Sequence, residues 1–405
     1  IYDYRRTSGW RETASGWKQY FNLFRTKGTR NTKLDARNKV AVRINNPDLI
    51  PMLGHLPEAI GSSNLFYFAT DISKFKSWPE GINVTAINDL LPDDCAMLRK
   101  RWRQISVVLN GVMKNVVMNR LINLHILLSK YEFLCSSGCK SILINAGEND
   151  GEGHVLAQVA RKHGVISANF MNGTKAFDVV NQGAEFDFWF MHDETMQELA
   201  TRIYGIPKER LPVVGHLLED VAKSHKHSGL LYEKGLTAAH KFVIAFFTSP
   251  LFFDENINAY SAIEQFLDSH PDCIAFVKPH PHDKLCLWDR KHSRIVRLDF
   301  RTEKTSSENV LFDMLSVANC SVSIASTVSF QASWFGIPSF TFEMANESRL
   351  PYTDGKRISH IRSRDELVNA LITVYNESSK GGAKNTELQT VRKSVAEKTV
   401  AYLTT

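Results

Sequence analysis

The sequence predicts an α/β protein built from two Rossmann-like domains facing a cleft. Three observations carry this. Short β-branched or aromatic runs alternate with helical patterns from Val40 onward, the signature of parallel sheets with crossover helices. The 405 residues, 43% hydrophobic and 23% charged, exceed one domain of about 100 to 200 residues and are rich enough in apolar groups for two cores. A largely polar connector, Ser224 to Ala239, separates two blocks of alternation. The expected domains are residues 1–222 and 223–405.

In the first block the strand candidates are Val40 to Ile44, Leu65 to Ala69, Asn83 to Ile87, Ser141 to Asn145, Val165 to Phe170, Phe186 to Met191 and Leu211 to Val214. Between the third and fourth lies a long helical stretch, Asp94 to Leu134, which opens on a basic patch of Arg99, Lys100, Arg101 and Arg103 around Trp102. Its most apolar part, Gln104 to Ser129, is interrupted by Asn110, Lys114, Asn115, Asn119, Arg120 and Asn123, which excludes a membrane span. The second block offers strands at Phe242 to Phe247, Cys273 to Val277, Ile295 to Leu298, Cys320 to Ile324 and Ser339 to Phe342. Helices fit at Ile257 to Ser269, Val310 to Val317, Thr327 to Phe335 and Ser363 to Tyr375, and Glu387 to Tyr402 forms a last helix. Ligands of such folds bind at the carboxyl ends of the strands.

Composition excludes several classes. The net charge of +6 is modest for this length, and no zinc-finger, helix-turn-helix or RNA-recognition signature accompanies it, so a nucleic-acid partner is rejected. Residues 1–43 hold eleven Lys and Arg against three acids, together with Trp10, Trp17, Tyr20, Phe21 and Phe24. Such a segment suits contact with an anionic membrane surface or polymer; a solvated stretch whose aromatics dock on the domain explains it equally. The six cysteines form no CxxC pair and no zinc-ligand spacing, so a reduced, cytoplasmic compartment is expected, peripheral to a membrane if the basic segment binds one.

The chemistry is concentrated at strand ends. Cys273 to Val277 runs into Lys278-Pro279-His280-Pro281, where two prolines stiffen the chain around an imidazole beside an ammonium, a pairing suited to phosphate oxygens. Cys320 to Ile324 runs into Ser326 and Thr327 and then directly into a helix, so one hydroxyl caps the helix while free backbone N–H groups attract phosphate. Gly336 then closes that helix and Pro338 opens the next strand, after which comes Glu343, placed to contact a ribose or base or to sit on the surface. Thr248-Ser249-Pro250 adds hydroxyls after Phe242 to Phe247. In the first domain, Ser141 to Asn145 opens into a glycine-rich loop with Glu148, Asp150 and Glu152; a carboxylate there serves as a general base toward an acceptor hydroxyl or as a helix cap. Asp220 follows Pro212-Val213-Val214-Gly215-His216 near the expected domain junction, as a nucleophile or a structural acid.

The order of these motifs resembles the His-Pro-motif glycosyltransferases of the two-Rossmann (type B, GT-B) fold, which include bacterial polysialyltransferases, lipooligosaccharide sialyltransferases and Kdo transferases. The resemblance implies a donor in which sialic acid or Kdo is linked to CMP, a glycan or glycolipid acceptor, and a role in capsule or lipopolysaccharide synthesis. By the same resemblance Glu148 or Asp150 is the base, His280 contacts the donor phosphate, and Ser326 with Thr327 completes the phosphate site. Asn149 stands where the family pattern has a second acid. With Lys278, His280 and the helix start at Thr327 to stabilise the leaving phosphate, and no DxD motif, no metal and no cofactor are expected. A CDP-polyol phosphotransferase of the teichoic-acid type resembles the same second-domain pattern, a UDP-GlcNAc 2-epimerase-like enzyme has a similar two-domain build, and a non-catalytic acidic-polysaccharide-binding protein would account for the basic segment.

Overall fold

A computed structural model describes residues 34–44, 50–69, 82, 84–86, 100, 124, 127–145, 151–170, 185–280, 291–299, 307–324, 326–344, 358–379 and 394–404. The expectations placed on residues 1–33, on Glu148 and Asp150, and on all but Lys100 of the Arg99–Arg103 patch lie outside the described residues. The chain forms two units; among the described residues the first holds those up to Gly215 together with Val395 onward, and the second those from His216 to Ser394.

The first unit carries strands β1 (Val40–Arg43), β2 (Leu65–Ala69), β3 (Val84–Ala86), β4 (Ser141–Asn145), β5 (Ile166–Phe170) and β6 (Phe188–Phe190). They lie in the order β3-β2-β1-β4-β5-β6, and every pairing is parallel. The helices described here are α1 (Leu56–Ile60), α2 (127–136), α3 (Gly151–Lys162) and α4 (Glu194–Tyr204). Asp193 caps α4 by accepting from the Met196 N–H at 2.8 Å, and Gly205, at φ 67°, ends it in the left-handed conformation that a side chain would disfavour. Leu211 to Val214, expected as a seventh strand, makes only an isolated bridge between Val213 and Met191. Pro212 has no N–H to give a ladder.

The second unit contains helices α5 (Leu217–Ser224) and α6 (Leu230–Glu233), then β7 (Phe242–Phe247), α7 (Phe253–Ser269), β8 (Cys273–Lys278), β9 (Ile295–Arg297), α8 (Ser307–Val317), β10 (Cys320–Ser323), α9 (Val328–Ser333), β11 (Ser339–Phe342), β12 (Ile358–Ile361) and α10 (Arg364–Ser379). The sheet order is β12-β11-β10-β7-β8-β9, again all parallel. Read from its first strand outward, this is the same layout as in the first unit. Phe246, Val277, Val322 and Phe342 form one face of the sheet and pack with Ala259, Ile263 and Phe266 of α7 and with Leu367 and Leu371 of α10. Alternation along each strand therefore turns Phe247, Lys278 and Ser323 to the opposite face. The sixth strand, β12, was absent from the sequence expectation because its Ser359 and His360 interrupt the apolar run on a sheet edge.

The last helix, α11 (Val395–Leu403), departs from its expected place in the second domain and belongs to the first unit. Its Tyr402 ring packs 5.1 Å from Phe188 and 6.0 Å from Phe190, Leu403 is fully buried, and Lys140 donates to the Thr404 carbonyl. Apolar burial against the end of the first sheet, not sequence proximity, decides where it goes.

Candidate functional site

In both sheets the order reverses beside the first strand, between β1 and β4 in one unit and between β7 and β10 in the other. Such a reversal leaves a crevice at the carboxyl ends of the two strands, where ligands of open parallel sheets bind.

In the second unit β8, β7 and β10 end level with one another: Phe247 lies opposite Lys278 on one side and Ser323 on the other. Lys278 is 8% exposed, an uncommon burial for an ammonium. The turns beyond these strands are joined. The Thr248 N–H donates to the Lys278 carbonyl at 3.3 Å, and the Thr248 hydroxyl accepts from the His280 N–H at 3.2 Å, which anchors the backbone between the two prolines. Asn256, fully buried on α7, accepts from the Ser249 N–H at 3.0 Å and donates to the Ser249 carbonyl at 2.7 Å. One amide side chain thus satisfies both backbone groups of a buried turn residue. The Ser249 hydroxyl accepts from the Leu251 N–H at 3.4 Å.

On the β10 side, Ser323 and Ser329 share a hydrogen bond of 2.6 Å in the interior. The Ser326 hydroxyl accepts from the Val328 N–H at 3.3 Å, and Thr327, at the N-cap, makes no side-chain cap bond. Of the two hydroxyls expected as caps, Ser326 takes the role, and Thr327 stands half-buried beside it. α9 has six residues and closes at Gly336, whose φ of 68° allows the tight turn into Pro338 and β11. Glu343 is fully buried, with its Oε2 3.8 Å from the Nε2 of His360 on β12, so a surface position is excluded. Asp220 lies half-buried in the first turn of α5, after His216, whose Nδ1 caps that helix and whose ring packs 5.2 Å from Trp334.

The first unit closes its crevice differently. Arg43, the last residue of β1, is 2% exposed and places Nη1 3.6 Å from Oε2 of Glu152, in the first turn of α3. The Tyr131 hydroxyl on α2 donates to Oε1 of the same carboxylate. Burial, followed by the Glu152 charge and opposed by Arg43, pushes the Tyr131 phenol well above its ordinary pKa, so it remains a donor. Arg43 is therefore no part of a surface-exposed basic segment. Among the described residues no three His, Cys, Asp or Glu side chains gather as a metal site, and no helix is long and apolar enough to cross a membrane.

Solved structures share this layout. UDP-GlcNAc 2-epimerase from Methanocaldococcus jannaschii, crystallised with UDP-GlcNAc and UDP, is similar over 90% of this chain and 99% of its own, at 14% identity and a TM-score of 0.57. The fold is the two-Rossmann glycosyltransferase fold. The glycosyltransferase of kitacinnamycin also matches, at 12% identity over 91% of this chain and 99% of its own with a TM-score of 0.54. The wall teichoic acid polymerase TagF does so at 11% identity over 94% and 91%, with a TM-score of 0.50. No protein-family model and no curated protein matches the chain.

Sequence reasoning singled out Lys278, His280, Ser249, Ser326 and Thr327, which the structure places in β8 or in the turns beyond β7, β8 and β10, and gave no role to Asn256, Tyr131 or the buried Arg43. Asn256 carries a weak signal, a polar residue at the start of an otherwise apolar helix face. Tyr131 carries none, since its partner Glu152 lies 21 positions away.

Proposed function

We propose that the protein is a glycosyltransferase that moves sialic acid or Kdo from a CMP-linked donor to a glycan or glycolipid acceptor in bacterial capsule or lipopolysaccharide synthesis. The observation that supports this most is the alignment of Lys278, Phe247 and Ser323 at the carboxyl ends of three adjacent strands, with His280 tied to Thr248 next to them. In the proposed reaction the bond between the sugar's anomeric carbon and the phosphate oxygen breaks, and CMP departs with the electron pair. The acceptor oxygen forms the new bond and gives its proton to Glu148 or Asp150. His280 and Lys278 stabilise the charge growing on the departing phosphate, the task for which a fixed donor outperforms water. Ser326, Thr327 and Ser249 complete the phosphate site and Glu343 stands behind it, while Asp220 has a structural role in α5. Of residues 1–43, those ahead of the buried strand β1 are proposed to meet the acidic acceptor or the membrane that carries it.

A second reading is favoured by the structural likeness itself, because one similar structure is a UDP-GlcNAc 2-epimerase and another a teichoic acid polymerase. Under it the same edge takes UDP-GlcNAc or a CDP-polyol. A thermal-shift panel of CMP, CDP-glycerol, UDP and UDP-GlcNAc, followed by calorimetry, separates the two. The transferase reading expects stabilisation by CMP; selective stabilisation by UDP or CDP-glycerol moves the protein to the second reading. No response to any nucleotide leaves a polysaccharide-binding protein.

A further inference from the structure

The two faces of the second sheet are built from different chemistry. Val322 of β10 and Phe340 and Phe342 of β11 belong to the apolar core shared with α7 and α10. Alternation turns Ser321, Ser323, Ser339 and Thr341 to the other face, against which α9 packs through Ser329. The register sets Ser321 beside Ser339 and Ser323 beside Thr341. Four hydroxyl residues, none more than 1% exposed, therefore line the strands beneath a six-residue helix.

These hydroxyls are not equivalent. Ser321 donates to Ser339 at 2.7 Å, a bond within the sheet. Ser323 and Ser329 share a bond of 2.6 Å, which joins the last residue of β10 to α9. Thr341 Oγ1 is buried and makes no hydrogen bond among the described residues. From Ser329 the connection continues: its N–H donates to the Ser326 carbonyl at 3.2 Å, and the Ser326 hydroxyl accepts from the Val328 N–H at 3.3 Å. Ser329 thus holds the sheet through its side chain and Ser326 through its backbone. Thr327 belongs to the same turn, its carbonyl accepting from the Phe330 and Gln331 N–H groups at 3.0 and 3.1 Å.

Stability is a poor reason for this arrangement. A buried hydroxyl pair returns little beyond the desolvation of its two groups, and apolar side chains of the same shape would serve as well. What apolar contact does not supply is direction. A helix of six residues has fewer than two turns, so its buried stripe is too short for ridges and grooves to fix its rotation. A hydrogen bond constrains both length and angle.

We propose that Ser323 and Ser329 are positioning residues, whose shared hydrogen bond sets the place of Ser326 and Thr327 and so their grip on the donor phosphate. This rests on the transferase reading, in which those two hydroxyls complete the phosphate site.

The test uses four variants of the full chain: Ser323→Ala, Ser329→Ala, the two combined, and Thr341→Val. Thr341→Val alters a neighbouring hydroxyl of the same buried group that makes no bond to α9. Each protein is measured for melting temperature, for calorimetric affinity toward CMP, and for affinity toward cytidine by competition with CMP. Ser323→Ala and Ser329→Ala are each expected to weaken CMP binding about fivefold, the size of one hydrogen bond, and to leave cytidine, which lacks the phosphate, within about twofold of wild type. The double variant should bind CMP no more weakly than either single one, because both changes remove the same bond. Thr341→Val should keep wild-type affinity for both ligands and melt at or above the wild-type temperature. Wild-type CMP affinity in folded Ser323→Ala and Ser329→Ala proteins overturns the positioning role. So does an equal loss for CMP and cytidine, an equal loss in Thr341→Val, or a failure of both single variants to fold, since each marks the bond as a general support of the domain. All of these leave the transferase reading standing. A wild-type protein with no measurable affinity for CMP overturns that reading, and the positioning role falls with it.

Discussion

The two units set out six parallel strands in one order, yet they finish the central strands with different chemistry. In the first, β1 ends in a guanidinium that is buried and matched by a carboxylate and a phenol from neighbouring helices. In the second, β7 ends at Phe247, flanked by Lys278 and Ser323, and Thr248 and Ser249 follow it. A charge-balanced interior cluster fixes backbone; a row of hydroxyls beside a lysine, close to the strand ends, is suited to an anion. The common fold makes the crevices alike, and under the proposed function the residues at their rims divide the work.

The proposed division is broken or sharpened most strongly by His280→Ala. If the imidazole supports the leaving phosphate, turnover falls by roughly two orders of magnitude or more, measured as the initial rate of CMP release. The bond from the His280 backbone N–H to Thr248 is kept in the variant, and its melting temperature shows that it is folded. Full turnover in a folded His280→Ala protein would remove the second unit's edge from the chemistry.

A smaller effect is expected from Asn256→Ala, because it loosens the same edge from beneath. The change leaves the N–H and carbonyl of Ser249 buried without their present partner, at a cost of about 2 kcal/mol from the two lost bonds. CMP affinity should fall with it, as the turn carrying Thr248 and Ser249 is no longer held. An unchanged CMP affinity in a destabilised protein would show the clamp to be purely structural. Tyr131→Phe is the counterpart in the other unit and is expected to leave CMP affinity alone.

Much of this was legible in the sequence for a plain physical reason. Residues such as Phe242 to Phe247 and Cys273 to Lys278 are buried on both faces, so they must read as continuous apolar runs, and the turns that follow must carry whatever is polar at the sheet edge. Lys278, His280 and Ser326 were singled out that way, as residues at or just beyond strand ends. Other features depend on partners distant in the chain. Arg43 counts as one more cation in a basic stretch until Glu152 is placed beside it. The last helix has the same amphipathic pattern whichever unit it covers, and only the rings of Phe188 and Phe190 determine the outcome. β12 hides behind Ser359 and His360 because an edge strand needs fewer apolar residues than a central one.

The smallest effect concerns the connector from α5 to α6 and tests whether a buried carboxylate in the second unit braces structure as Glu152 does in the first. Asp313 on α8 is 1% exposed and receives the Ser228 hydroxyl, the Ser228 N–H at 3.0 Å and the Nε2 of His225 at 2.7 Å. Burial works to raise its pKa, but the Ser228 bonds and then His225 outweigh it, and the carboxyl lies below its ordinary value. A carboxyl whose pKa is lower folded than unfolded adds stability above the unfolded value, about 4, and that contribution is lost as the pH falls through the folded value. Asp313→Asn should therefore melt below the wild type at neutral pH, by a deficit on the order of 1 kcal/mol. The gap should narrow as the pH drops below about 4, because the wild-type carboxyl then also takes up a proton. Melting curves of both proteins from pH 7 down to about 3 decide it: a gap that stays constant across that range would mean the ionised carboxylate contributes nothing that an amide does not.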